Sequence, residues 1–380
     1  MTLRLGGLVL RAGRLEAGEV GVADGRVLAS PEGRDRRRLP EGWIVAPGLV
    51  DLQVNGFGGA EVGDDPGGLA AVARALPGAG VTAFCPTLLS RSPAAYRPAA
   101  GALAATVWPA TGARPLGVHL EGPFLARPGA HPRSALRAPA PEEVDRLLGA
   151  FSPAIVTLAP ELPGGLDAIA RIVRAGAVAA VGHTEADAET GRRAIAAGAR
   201  LLTHVLNAMR GIESRAPSAL TAFLLDRRAR VSLIADGVHV APEVAAVLAR
   251  AAGRRLVLVS DASAAAGAPP GRYRLAGREI VSDGVSSRIG GRLAGSASGL
   301  DAGPRTLAGA GLARGAALAA AVEAPRRLLR LPPGLAPGAP ADLVVLDEGL
   351  VPRLTLVGGR VAHADPDLPG ALRGLEPEPV

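Results

Sequence analysis

Six histidines occur in the 380 residues, and four of them, His119, His183, His204 and His239, sit where a run of apolar residues gives way to polar ones. The same kind of position holds the one glutamine, Gln53, both asparagines, Asn55 and Asn207, and the carboxylates Glu121, Asp236 and Asp261. One carboxylate and two imidazoles on neighbouring strands form a three-ligand site for a divalent metal with a position left open. Glu121, His183 and His204 make such a set. A metal held this way acidifies water and polarises a carbonyl, the two requirements of amide hydrolysis. Asp261 is then placed to accept the water's proton and return it to the leaving amine. His119 shares a strand face with Glu121, so a ligand or supporting role stays open beside its reading as a rim histidine with a local partner. His131, in the GAHP loop after LEGPFL, reads equally as a solvated loop residue or a site residue, and His363 reads as surface.

These residues need a scaffold that brings many strand ends together. Eight apolar runs alternate with Ala/Leu/Arg segments of helical character: they begin at Trp43, Val81, Pro115, Ile155, Ala177, Ala199, Val231 and Leu256. That alternation predicts an α/β fold with a parallel sheet, and eight strands in about 220 residues close a (β/α)₈ barrel, whose chemistry sits at the C-terminal strand ends. Helices are expected over Pro66–Ala79, Pro141–Ala150, Ala186–Ala197 and Pro242–Ala252, three of them opening with proline. Both chain ends alternate in strand fashion, with a DG turn at Asp24-Gly25. We therefore expect a small composite β domain from 1–44 and 335–380, and a barrel domain over 45–334. Residues 268 to 292 read as a hairpin insertion after the eighth strand, and 366 to 380 as a loose tail.

Composition narrows the partners. Hydrophobic residues make up 48% and charged ones 20%, ordinary for a chain that buries a large core. The net charge is +7, yet all 42 basic residues are arginines scattered along the chain and aromatics are only 2%, which speaks for a coding bias and against a nucleic-acid partner. Cys85 is the only cysteine, so an intrachain disulfide and a cysteine-rich metal site are excluded, and a reducing cytoplasm fits. The N-terminus lacks the continuous apolar region of a secretory signal, and no apolar run reaches the length of a membrane span.

The ordered segments PGLVDLQVNGFGG, GVHLEGPFL with GAHP, VGHTEA, LTHVLNAM, LIADGVHV, LVSDAS and LAGSASG resemble the N-acetylglucosamine-6-phosphate deacetylase family of the amidohydrolase superfamily, over roughly Val45 to Gly299. The resemblance implies hydrolysis of an N-acetylhexosamine 6-phosphate to the amino sugar phosphate and acetate. It implies Glu121, His183 and His204 as metal ligands and Asp261 as catalytic base and acid. Substrate contacts would come from His131, Asn207, Ala208 and the Leu293-Ala294-Gly295 segment, and Arg215 with His239 would meet the phosphate. Gln53-Val54-Asn55 stands where many amidohydrolases carry His-x-His for a second metal, so one divalent ion per chain is expected, zinc first and iron(II) or another divalent ion as alternatives. The family resemblance also implies a homodimer. Competing readings are a deacetylase for the galactosamine epimer, an N-acyl amino acid hydrolase, for which a phosphate clamp has no purpose, and a non-catalytic barrel that binds phosphosugar, against which the intact acid, base and ligand set argues.

Overall fold

The computed structural model describes residues 2–30 and 35–377. Its N-terminal strands β1 (Leu3–Arg11) and β2 (Arg14–Ala23) form a long antiparallel hairpin, and β3 (Ile44–Pro47) runs parallel to β1. The barrel follows: β4 (Leu49–Val54), β5 (Val81–Leu88), β6 (His119–Glu121), β7 (Ile155–Leu158), β8 (Val178–Val181), β9 (Leu201–Leu202), β10 (Arg230–Leu233) and β11 (Leu256–Leu258). Each pairs in parallel with the next, and a parallel bridge between Val54 and Ala262 brings the eighth strand back to the first. A four-stranded antiparallel flap comes next, β12 (Gly271–Leu275), β13 (Arg278–Ser282), β14 (Ser286–Ile289) and β15 (Arg292–Ser296). Finally β16 (Leu343–Leu346), β17 (Pro352–Val357) and β18 (Arg360–Ala364) join β3, so one sheet contains both chain ends.

The barrel strands are buried on both faces, as parallel strands covered by helices must be. Alternate residues divide between two cores. Val50, Leu52, Ala83, Cys85, Ile155 and Val257 form one cluster, while Leu49, Phe84, Leu120, Val156 and Leu258 join the larger cluster with the helices. Proline and aspartate start the helices as their chemistry requires. Asp65 accepts from the amides of Gly67 and Gly68 ahead of the helix Pro66–Ala75, and Asp187 accepts from Thr190 ahead of Ala188–Ala197.

Three expectations are corrected. The run from Trp43 is two strands, because the chain passes at Gly48 from the terminal sheet into the barrel; a Cβ there would lie 2.1 Å from Thr82 Oγ1, so only glycine fits. Strand β3 thus lies in the terminal sheet, across the expected boundary at 44/45. The stretch after 366 is no loose tail as far as Leu375: Leu372 and Leu375 are buried against the terminal sheet, and Arg37 donates to the carbonyls of Ala371 and Arg373. Residues 378–380 lie outside the described residues. His363 is half-buried beside Gly78 and not at the surface, because β18 packs on the turn that follows the first barrel helix.

Candidate active site

Strand ends place Glu121, His183, His204 and Asp261. In β6, alternation turns Leu120 into the helix layer and leaves His119 and Glu121 on the other face. His183, His204 and Asp261 each stand just beyond a strand and adopt left-handed φ values of 50°, 29° and 49°. Such backbone is uncommon outside glycine and costs about 1–3 kcal/mol per residue, so it persists only where surrounding structure enforces it. Ala208, in the turn after His204, is left-handed too, at φ 46°.

Glu121 Oε1 lies 3.1 Å from His183 Nε2 and 2.8 Å from His204 Nε2, and the two nitrogens are 3.1 Å apart. Ligands on zinc with bonds of about 2.0–2.1 Å stand roughly 3.3 Å apart in a tetrahedron. The triangle therefore fits a divalent cation with little adjustment, and these three are the one group of this kind among the described residues. His183 Nδ1 donates to the Arg127 carbonyl at 2.8 Å, which leaves its Nε2 lone pair toward the other two ligands. Burial pushes the His183 pKa down to about 4, so the ring is neutral, as a ligand must be. Burial opposes charge on Glu121, but the polar surroundings supplied by the imidazoles of His131, His183 and His204 hold its carboxyl well below the usual range. Buried polar atoms without protein partners, Gln53 Oε1, Asn55 Oδ1 and His204 Nδ1, mark a site built to receive something polar.

Gln53 and Asn55 act as donors. Gln53 Nε2 bridges Glu121 Oε1 at 2.9 Å and Asp261 Oδ1 at 3.0 Å, and Asn55 Nδ2 reaches the same Asp261 oxygen at 2.7 Å. Burial, then the charge of Glu121, pushes the Asp261 pKa up to about 6, against the pull of His204, His239 and Asn55. Asp51 lies deeper and stitches the barrel closed, with Oδ1 accepting from the amides of Gln53 and Ser260, each at 3.2 Å.

His119 is a structural residue and not a ligand. Its Nδ1 donates to the Leu52 carbonyl at 2.9 Å, and its Nε2 accepts from the Thr157 hydroxyl at 2.8 Å, so both nitrogens are engaged. His131 is buried, which removes the solvated-loop reading. The amide of Ser90 donates to its Nδ1 at 3.1 Å, so the ring proton is on Nε2, which faces Glu121 Oε2 at 3.5 Å. His239 Nδ1 donates to Asp236 Oδ2 at 2.8 Å, and Ser296 Oγ donates to the same oxygen. Burial opposes its ionisation, yet the bonds from His239 hold Asp236 down to about 2.

A cavity of about 120 Å³ joins these groups, and His131, Asn207, Ala208, His239, Leu293 and Gly295 line it beside Glu121, His183, His204 and Asp261. Two expected contacts stand apart. Ala294 is buried in the flap core with Leu89, Leu275 and Ile280, because its neighbours on β15 face the cavity. Arg215 lies on the exposed segment after Gly211 and does not line the cavity. Sequence reasoning missed Ser90 and Thr157, which orient His131 and His119, although Ser90 follows the second barrel strand and obeys the strand-end rule. Among the described residues, no helix is long and apolar enough to cross a membrane.

The amidohydrolase family model matches residues 44–368. The chain is 36% identical over 382 residues to N-acetylglucosamine-6-phosphate deacetylase of Homo sapiens, covering 93% of each. It is 33% identical to N-acetylgalactosamine-6-phosphate deacetylase of Escherichia coli O157:H7, covering 95% of this chain and 98% of that protein. It superimposes with a TM-score of 0.88 on a mutant N-acetyl-D-glucosamine-6-phosphate deacetylase from Mycobacterium smegmatis in complex with N-acetyl-D-glucosamine-6-phosphate, at 37% identity and with 95% of this chain and 99% of that one covered. The chain belongs to the metal-dependent amidohydrolase family and, within it, to the N-acetylglucosamine-6-phosphate deacetylases.

Proposed function

We propose that this protein hydrolyses the acetamido group of N-acetylglucosamine 6-phosphate, giving glucosamine 6-phosphate and acetate. The observation that carries this reading is the convergence of the Glu121, His183 and His204 triangle with Asp261 on one small cavity. Those three residues would hold one divalent ion, zinc by preference and iron(II) as the alternative, which when bound polarises the acetamido carbonyl and acidifies a water. Gln53 and Asn55 present amide donors where two imidazoles would bring a second ion, and they hold the carboxylates in place of its charge.

Asp261 does the proton work. Gln53 and Asn55 both occupy its Oδ1, which leaves Oδ2 to take the proton of the attacking water and deliver it to the leaving nitrogen. His131 offers an Nε2–H beside Glu121 for a polar group of the substrate near the amide. Asn207 donates to the carbonyls of His204 and Val205 and so supports the turn that presents His204 and Ala208. Leu293 and Gly295 supply the wall against the acetyl group and sugar.

His239, fixed through Asp236, leaves Nε2 for the phosphate. Arg215 does not line the cavity of its own chain, and a phosphate clamp through Arg215 of the neighbouring subunit of a homodimer fits that placement. The division into a composite β domain (1–44, 335–380) and a barrel domain (45–334), with the crossing at β3 noted, and residence in the cytoplasm belong to the same reading. The pairing of β16 with β3 and the single buried Cys85 support them. The 33% identity to a galactosamine epimer deacetylase keeps that epimer as the second reading.

Acetate release by the zinc-loaded protein from N-acetylglucosamine 6-phosphate, its galactosamine epimer and unphosphorylated N-acetylglucosamine tests the assignment. The glucosamine phosphate should be the fastest. A faster galactosamine epimer selects the second reading, and equal rates with and without phosphate overturn both.

A further inference from the structure

A second pocket, of about 360 Å³, opens beside the catalytic cavity and shares Gly129 and His131 with it. Three arginines converge there from separate elements: Arg133 two residues beyond His131, Arg278 at the start of β13, and Arg292 at the start of β15. No acidic residue lines this pocket, and among the described residues none of the three arginines pairs with a carboxylate. Nearby, Arg272 pairs with Glu279 and Arg137 with Glu143, while Arg274 and Arg288 bond to backbone carbonyls or a serine hydroxyl.

Arg278 is held in place by a bond from one Nη to the Ala130 carbonyl, next to His131, while its Nε is buried without a partner. Three cations in one concavity repel one another unless an anion joins them, and guanidinium forks match the oxygens of a phosphate. What sets these three arginines apart is their convergence on one pocket without an acid at the rim of the active site, with the Arg278 Nε buried and unpartnered.

We propose that Arg133, Arg278 and Arg292 form an anion site for the phosphate ester of the incoming substrate, which captures the sugar phosphate at the mouth before it enters the catalytic cavity. This rests on the deacetylase reading for the identity of the substrate. The site is distinct from the His239 end, because its arginines do not line the catalytic cavity. Capture raises the rate of productive encounter for anionic substrate and weakens as salt screens the field.

The test uses the zinc-loaded full chain and the double variant Arg133→Gln/Arg292→Gln, both sites being exposed. Values of kcat and KM for N-acetylglucosamine 6-phosphate and for unphosphorylated N-acetylglucosamine are measured from about 20 to about 300 mM salt, a range over which screening shortens the field by several-fold. We expect kcat/KM on the phosphorylated sugar to fall about tenfold at the lowest salt and to converge with the parent at the highest. The kcat and the rate on unphosphorylated sugar should not change. Superimposable salt curves, or equal losses on both sugars, overturn the proposal. Calorimetric titration with inorganic phosphate provides an arm independent of the reaction, in which the double variant should bind one phosphate fewer per chain. Equal stoichiometry in both proteins overturns the site itself. Loss of phosphate binding with unchanged kcat/KM identifies a free-phosphate site and overturns the capture role. If the parent releases no acetate from the sugar phosphate, the deacetylase reading fails, and the phosphate titration still decides the pocket.

Discussion

Asp261→Asn isolates proton transfer from everything else in the site. The Asp261 oxygen that accepts from Gln53 at 3.0 Å and Asn55 at 2.7 Å has a counterpart in the amide oxygen of asparagine, so both bonds survive. The three ligand atoms are untouched, and burial of the side chain costs less without the charge. What disappears is the Oδ2 base. General acid–base catalysis contributes about 10²- to 10⁴-fold, so kcat should fall by at least about 100-fold, equivalent to roughly 2.7–5.5 kcal/mol in the barrier. Burial and Glu121 place the Asp261 pKa at about 6, so the parent rate should decline as pH falls through the base's pKa and the proton acceptor is lost. A bound cation favours the carboxylate and moves that limb to lower pH, and the variant should lack the limb altogether. Acetate release, elemental zinc content and Tm are measured on one preparation. Near-normal turnover with metal and fold intact would refute the reasoning, and loss of metal or Tm ahead of turnover would make Asp261 a ligand or a structural residue.

Other substitutions read the surroundings of the site. Gln53→Leu removes the donor shared by Glu121 and Asp261; losing one charge-assisted bond of about 1.5–3 kcal/mol in the transition state lowers kcat/KM by about 10- to 150-fold, and an unchanged value at full metal content would show the bridge to be idle. Asp51→Asn probes a carboxyl that burial lifts from 3.8 to about 7, helped by the charge of Asp261 and opposed by Ser260 and Gln53. The folded parent keeps this proton where the unfolded chain has lost it, so the stabilisation is complete below the unfolded pKa and vanishes as pH rises through about 7. The Tm of the parent should therefore drop relative to Asp51→Asn between about pH 4 and pH 8, by a few kcal/mol of stability at most, whereas parallel Tm curves would mean that Asp51 is ionised throughout. Arg215→Ala should weaken the phosphorylated substrate by about 1.5–3 kcal/mol if Arg215 of the second copy holds phosphate, and equal losses on unphosphorylated sugar would assign it a structural role instead.

Much of the site was legible because barrels concentrate chemistry at strand ends, and rare polar residues at those ends stand out against an Ala/Gly/Leu background. Glu121, His183, His204 and Asp261 follow from that rule, and the structure gathers them on one cavity. The rest depends on which atoms meet. Gln53 shows its absence of imidazole in the sequence, but not the two carboxylates on its amide. His131 is ambiguous by spacing because the partner that fixes its ring, Ser90, lies 41 positions away. The left-handed turns at His183, His204 and Asp261 have no local signal, since none of these residues is glycine. The split of the first apolar run at Gly48 stayed hidden because both halves are equally apolar, and only the partner strands differ.

The central claim is that Glu121, His183 and His204 hold a single ion on which hydrolysis depends. Metal-stripped protein titrated with zinc, with acetate release followed at each addition, tests it directly. Activity should rise linearly from near zero and saturate at one zinc per chain, and His183→Ala should show no such rise. Saturation at two equivalents would contradict the single-ion site, and full activity in the stripped protein would contradict the role of the triangle.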